Sequence, residues 1–339
     1  MSMARNYTFD FMRGCAALLV CIGHFYDWNQ NYNIIPSSFI LAVDFFLVLS
    51  GFVISQSIFS KKKFNPFYFA MNRWIRLFPV FILCYILIAI PKILILEKYT
   101  PPNIIDLIQV LIIGKMLPIN LGTNYVDPLS ISYTISAELW VGIIIFPVLF
   151  LLKNKFKYIL LLLVIAYTYF LMIHYSPNYM NVHSILLYNY LYFGVIRCFL
   201  DYSLGILCFL TYQKLKFKKN KTIILLTFFT LTTIVLIYKD INYNKNLEYL
   251  APLLFSFLIF LVAHIENIKN PYICFTFKKF GEFSYPIYLI HPLLIGAFNY
   301  LKISPNIYSS IVFITICMII SLMIHKHYEK PLMNFMIKK

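Results

Sequence analysis

Apolar residues run along this chain in stretches too long for the core of a soluble domain. Segments near 9–27, 37–58, 76–96, 129–152, 156–174, 188–213, 222–238, 247–265, 283–301 and 306–325 are predominantly apolar, and a membrane-spanning helix needs roughly 17–25 such residues. The pattern predicts an all-α membrane protein, a polytopic bundle of about ten transmembrane helices. One shorter apolar segment, 103–117, is left over. If it crossed, the basic run "KNKFK" would face away from "KKKF", against the positive-inside tendency. As a short non-spanning segment it keeps every basic run on one side. The expected topology puts both termini and the loops 60–75, 153–157, 214–221 and 266–280 in the cytoplasm, and 28–36, 97–128, 175–187, 239–246 and 302–305 outside. Residues 1–339 are expected to form a single integral membrane domain with no soluble C-terminal domain, since no repeat, Gly/Ser linker or polar appendage is visible.

Composition supports this reading: 61% of the 339 residues are hydrophobic and 12% charged, far from the usage of soluble domains. Asp10 and Arg13 interrupt the first apolar run and no small-residue cleavage site follows it, so the first helix is expected to be retained. The net charge of +16 would point to nucleic acid if the cations formed one patch. They fall instead in short runs between spans, as flanks of a multi-pass protein of the cell (inner) membrane. The seven cysteines are scattered and never form C-x-x-C, so neither a disulfide framework nor a metal site is expected.

An ionisable residue inside the bilayer costs roughly 2.5–3.5 kcal/mol on insertion scales, so each one asks for a reason. Arg13 and His24 are eleven residues apart in the first span, which returns to within roughly 20° of one helical face, about 16 Å along the axis. A snorkelling anchor explains Arg13 alone and an interhelical hydrogen bond explains His24 alone; a shared face favours a common role. Asp44 enters the second span at a depth similar to His24. It could fix the tautomer of His24, or bond backbone at the interface. Arg73 and Arg76 open the expected third span beside Arg13; they are either flanks or, with Arg13, a cluster suited to bidentate phosphate binding. Glu138, near Ser136 and Trp140, stands in an otherwise apolar span. Arg197 and Asp201, at i and i+4, read best as a self-neutralising pair. Ser284, Tyr285, Tyr288 and His291 line one late span, between a polar core helix and a substrate contact. "HKHYEK" reads as a basic flank. No nucleophile elbow or phosphate-binding loop is present.

These blocks resemble the acyltransferase 3 family of integral membrane acyltransferases. "FMRGCAALLVCIGHF" has the family's Arg-x10-His spacing, and "DFFLVLSGF" is similar to its Phe-Phe…Ser-Gly-Phe block. "RWIRLFP", "SISYTISAELW", "RCFLDYSLG", "GEFSYPIYLIHPLL" and "YEKPL" follow in the family's order. Tyr133 and Ala137 depart conservatively from the family's glutamate block, Trp-Ser-Leu-Ser-Val-Glu. The resemblance implies transfer of an acyl group, acetyl in the first instance, from cytoplasmic acyl-CoA to a hydroxyl of a cell-surface or lipid-linked glycan, such as an O-antigen, capsule or exopolysaccharide unit. It implies an essential His24, here a general base oriented by Asp44, with Glu138 binding sugar or sharing the base role. Arg13, Arg73 and Arg76 would hold the phosphates of acetyl-CoA, a donor substrate rather than a resident cofactor. Trp140, Tyr285, Tyr288 and His291 are the candidate acceptor contacts. The alternatives are an acyl-His24 intermediate within the same reaction, a transporter or flippase of a lipid-linked glycan, and an O-antigen polymerase.

Overall fold

The computed structural model describes residues 5–30, 37–94, 102–117, 129–215, 223, 225–227, 230, 245–265 and 268–337. Helix α1 (Tyr7–Asp27) is started by Asn6, whose side chain accepts from the Thr8 N–H. A 3₁₀ turn (Ser37–Leu41) leads into α2 (Ala42–Phe59). Then follow α3 (Pro66–Leu94), α4 (Ile104–Leu111), α5 (Ser132–Leu151) and α6 (Asn154–Tyr175). A two-residue antiparallel pair, β1 (Leu186–Leu187) with β2 (Leu191–Tyr192), precedes α7 (Phe193–Lys214). The chain closes with α8 (Ala251–Ala263), α9 (Pro271–Tyr300), α10 (Ile307–Ile324) and α11 (Lys330–Ile337).

Among the described residues eight helices are long and apolar enough to cross a membrane, so the protein is an all-α, multi-pass membrane protein. Helix α9 has 30 residues, and its polar residues dilute its apolar character without shortening it. The expected span 222–238 lies largely outside the described residues. Helix α4 has eight residues, about 12 Å at 1.5 Å per residue, too short for a hydrocarbon core of about 30 Å. Trp74 and Trp140 pin the turn after it, donating to the carbonyls of Leu111 (2.9 Å) and Ile113 (3.1 Å).

Two of the longer expected loops are largely helix, and the short one at 153–157 falls mostly within α6. Helix α3 begins at Pro66, inside the loop placed at 60–75, and the Asn65 side chain accepts from the Tyr68 N–H at 3.0 Å. Helix α9 begins at Pro271, inside the loop placed at 266–280, and Asn270 caps it by accepting from the Tyr272 and Ile273 N–H groups. An Asn cap with Pro just inside starts each helix, and the helix then continues through its basic stretch into the apolar run. Arg73 and Arg76 therefore lie inside α3, about two turns or more from its start. Beyond α10 the chain does not end its helix at 325. It passes through one π turn (His325–Glu329) into α11.

Helices α2 and α7 form the most buried pair of spans, and α6 is the most peripheral. Small residues allow the α2–α7 approach: a Cβ added at Gly205 would collide with the Val48 carbonyl, and one at Gly51 would come within 2.6 Å of the Tyr202 carbonyl oxygen. Backbone cannot yield as a flexible side chain can. Gly205→Ala is expected to destabilise the fold by about 1–3 kcal/mol and to lower Tm in detergent. Gly296→Ala, where nothing lies within 4 Å of the added Cβ, should leave Tm unchanged or raised.

Candidate active site

One face of α1 meets α9 along its length, and the two residues of the polar stripe both point there. Arg13 donates from Nε to Ser284 Oγ (2.9 Å) and from Nη2 to the Gly281 carbonyl (2.9 Å). It also reaches Asp10 at 3.4 Å. Further along the same face, His24 Nδ1 lies 2.9 Å from His291 Nε2. The two rings are nearly parallel, 14° between planes and 5.2 Å between centroids. Trp28 stacks on His24 at 4.7 Å, and Phe39 meets it edge-on at 5.1 Å.

A cavity of about 530 Å³ lies beside the Arg13 end of this contact, between α1, α2, α3, α5, α9, the π turn and α11. That is within the range of roughly 300–1,000 Å³ typical of small-molecule sites. Exposed Arg5, Lys278, Lys330 and Asn334 mark its mouth, and buried Thr134, Ser284 and Tyr288 its floor. Arg13, Arg76 and Glu138 also line it. Arg76 is exposed in the cavity and makes no hydrogen bond or ion pair among the described residues. At the floor the Tyr288 hydroxyl donates to Thr134 Oγ1 at 2.9 Å. The Tyr288 and His291 rings are 5.9 Å apart, and three residues of helix amount to about 4.5 Å of rise. The cavity thus ends about one turn short of the histidine pair.

The other acidic candidates do not gather at His24. Asp44 is fully buried and belongs to Arg197, which donates from Nε to Oδ1 (2.5 Å) and from Nη2 to Oδ2 (2.7 Å). The same guanidinium donates to the carbonyls of Met180 (2.9 Å) and Ile40 (3.1 Å). The tautomer-fixing role expected of Asp44 is therefore not available to it. The expected Arg197–Asp201 pair is not formed either: the guanidinium crosses to α2, where a bidentate fork and two carbonyls satisfy all three of its nitrogens. Glu138 is held by Arg73, whose Nη2 lies 2.6 Å from Oε1, and by Ser50, whose hydroxyl donates to Oε1 at 3.2 Å. Arg73 also donates to the Tyr202 hydroxyl at 3.2 Å. Buried behind Glu138, Arg73 does not line the cavity, so the expected three-arginine cluster reduces there to Arg13 and Arg76. Glu138 thus sits with Arg73 and not with His24. Trp140 is committed to the Ile113 carbonyl and does not reach the cavity. Tyr285 lines the cavity while donating to the Leu77 carbonyl at 2.6 Å. His291, expected to touch acceptor, is wholly buried against His24.

In the 175–192 connection His183 stacks on Tyr133, with ring centroids 3.8 Å apart. Burial, together with Arg197 and Lys115, lowers its pKa to about 4, so it is neutral at neutral pH. It brings no charge to this end of the bundle.

The cavity also uses residues that the sequence pattern treats as flanks. Arg5, Lys278 and the "HKHYEK" stretch supply its rim, with His325, Glu329 and Lys330 among its lining. His325 Nδ1 lies 2.8 Å from Glu329 Oε2, across the π turn. Such single turns are frequent at functional sites, and this one carries the basic run back over α3. The signal available in sequence was the spacing of His325 and Glu329, four residues apart.

The chain is 33% identical over 111 residues to "Protein 2 in picA locus" of Rhizobium radiobacter, covering 32% of this chain and 56% of that protein. The chain thus spans little more than half the length of that relative. No solved structure matches. A family model described as an acyltransferase domain matches residues 6–325, which take in the polar stripe, the histidine pair and most of the cavity lining. The chain belongs to the acyltransferase 3 family.

Proposed function

We propose that this protein transfers an acyl group, acetyl in the first instance, from cytoplasmic acyl-CoA to a hydroxyl of a cell-surface or lipid-linked glycan. The observation that carries the reading is the cavity, cationic at its mouth, that ends one turn from the His24–His291 pair in a chain of this family. Arg5, Lys278 and Lys330 at the mouth, with Arg13 and Arg76 inside, suit the phosphates of the donor. Guanidinium offers bidentate forks and lysine a point charge. The basic flanks near this end favour a cytoplasmic mouth. The acyl-pantetheine arm then runs toward Thr134 and Tyr288, and the acceptor meets the acyl carbon beside His24.

In the transfer His24 takes the proton of the acceptor hydroxyl as its oxygen attacks the thioester carbonyl. The carbon–sulfur bond then breaks, and the leaving thiolate receives the proton. Glu138, anchored by Arg73 and Ser50, keeps its carboxylate at the cavity wall and orders the neighbouring cations.

The test is transfer of labelled acetyl from acetyl-CoA to glycan in reconstituted membranes, comparing wild type with Arg76→Ala. Losing one charge-assisted phosphate contact removes about 1.5–3 kcal/mol, so KM for acetyl-CoA should rise about 10-fold or more with kcat little changed. An unchanged KM would remove the donor from this cavity.

A further inference from the structure

We propose that His291 is the positioning residue that sets the tautomer of His24, the part first assigned to Asp44; the inference rests on the acyl-transfer reading above. The hydrogen-bond chain has one end that can only accept. His291 Nδ1 lies 3.2 Å from the carbonyl oxygen of Ile287. A carbonyl carries no proton, so this contact is a hydrogen bond only when His291 Nδ1 is protonated. In a neutral imidazole the lone pair is then on Nε2. His291 Nε2 therefore accepts across the 2.9 Å gap, and His24 Nδ1 donates. The reverse arrangement would turn a lone pair of His291 Nδ1 toward the lone pairs of the carbonyl.

His24 is thereby left with its lone pair on Nε2, which makes no hydrogen bond among the described residues. A lone pair without a partner is what a general base requires. His291 is wholly buried and packed against both His24 and Tyr288, which holds its ring in place. When His24 Nε2 takes the acceptor proton, Nδ1 still donates to the lone pair of His291 Nε2, which stabilises the imidazolium. His291 does the orienting work of a carboxylate without its charge, and Asp44 stays with Arg197.

Solid-state NMR of ¹⁵N-histidine-labelled full-length protein in bilayers reads the tautomer directly. Wild type should show His24 protonated at Nδ1. His291→Phe should shift His24 toward the Nε2-protonated form and lower kcat by about 10- to 100-fold, with KM for acetyl-CoA unchanged. His291→Gln, which retains an acceptor near the position of Nε2, should recover the Nδ1 form and much of the rate. Nε2-protonated His24 in wild type overturns the proposal, whether or not the Phe variant folds. A Phe variant with unaltered tautomer and kcat overturns it as well. No transfer by wild type would instead sink the acyl-transfer reading, and full transfer by His24→Ala would remove His24 from the chemistry; the tautomer result stands in either case.

Discussion

Replacement of His24 by alanine is expected to slow acyl transfer by about 10²–10⁴-fold, the range that a positioned general base contributes. The protein should still accumulate in the membrane. His24 is half-buried where α1 meets α9, so truncation leaves His291 Nε2 without its donor, a loss of about 1–3 kcal/mol. The rest of that contact remains, including the two hydrogen bonds from Arg13 to α9. Surface O-acetyl content, normalised to enzyme level in the membrane, is the readout. Acetylation by the variant at the wild-type level would remove His24 from the chemistry.

The second large effect concerns stability. Asp44 and Arg197 form an ion pair with side chains 0% and 3% exposed, and removing one partner of such a pair strands a buried charge at about 3–5 kcal/mol. Arg197→Met and Asp44→Leu, each alone, should therefore deplete folded protein. The double replacement removes the stranded charge and should recover part of the folded yield, since the Met180 and Ile40 carbonyls still lose their donor. Transfer should return with it, because neither residue touches the cavity or the histidine pair. If Asp44 instead oriented His24, the double variant would fold and remain slow. Thermal stability in detergent and transfer rate, measured on the same preparations, separate these outcomes.

How much of this was legible in sequence depended on how local each interaction is. Helical spans, the short α4 and the shared face of Arg13 and His24 follow from hydrophobic length and a 100° periodicity, and both stripe residues do point at α9. The partners did not follow. Asp44 has similar depth to His24, but depth along two spans says nothing about azimuth. Its bond goes to a residue 153 positions away. Arg197 and Asp201 sit at helix-pair spacing, yet the guanidinium gains more from a buried carboxylate and two carbonyls on other elements. The same limit applies to Arg73 and Glu138, separated by 65 positions. Helix starts at Pro66 and Pro271 were signalled by Asn–Pro and were outweighed by the basic residues that follow. The cavity rim is not legible in sequence, because a lysine or arginine that flanks a span and one that lines a cavity mouth look alike until the helices are placed.

The most direct measurement is CoA binding to purified His24→Ala, made beside its transfer rate. If the cationic cavity holds the donor and His24 acts one turn beyond its floor, the variant binds CoA with the wild-type Kd and fails to transfer. Loss of CoA binding together with transfer would place His24 in donor binding, and transfer at the wild-type rate would take the chemistry away from the histidine pair altogether.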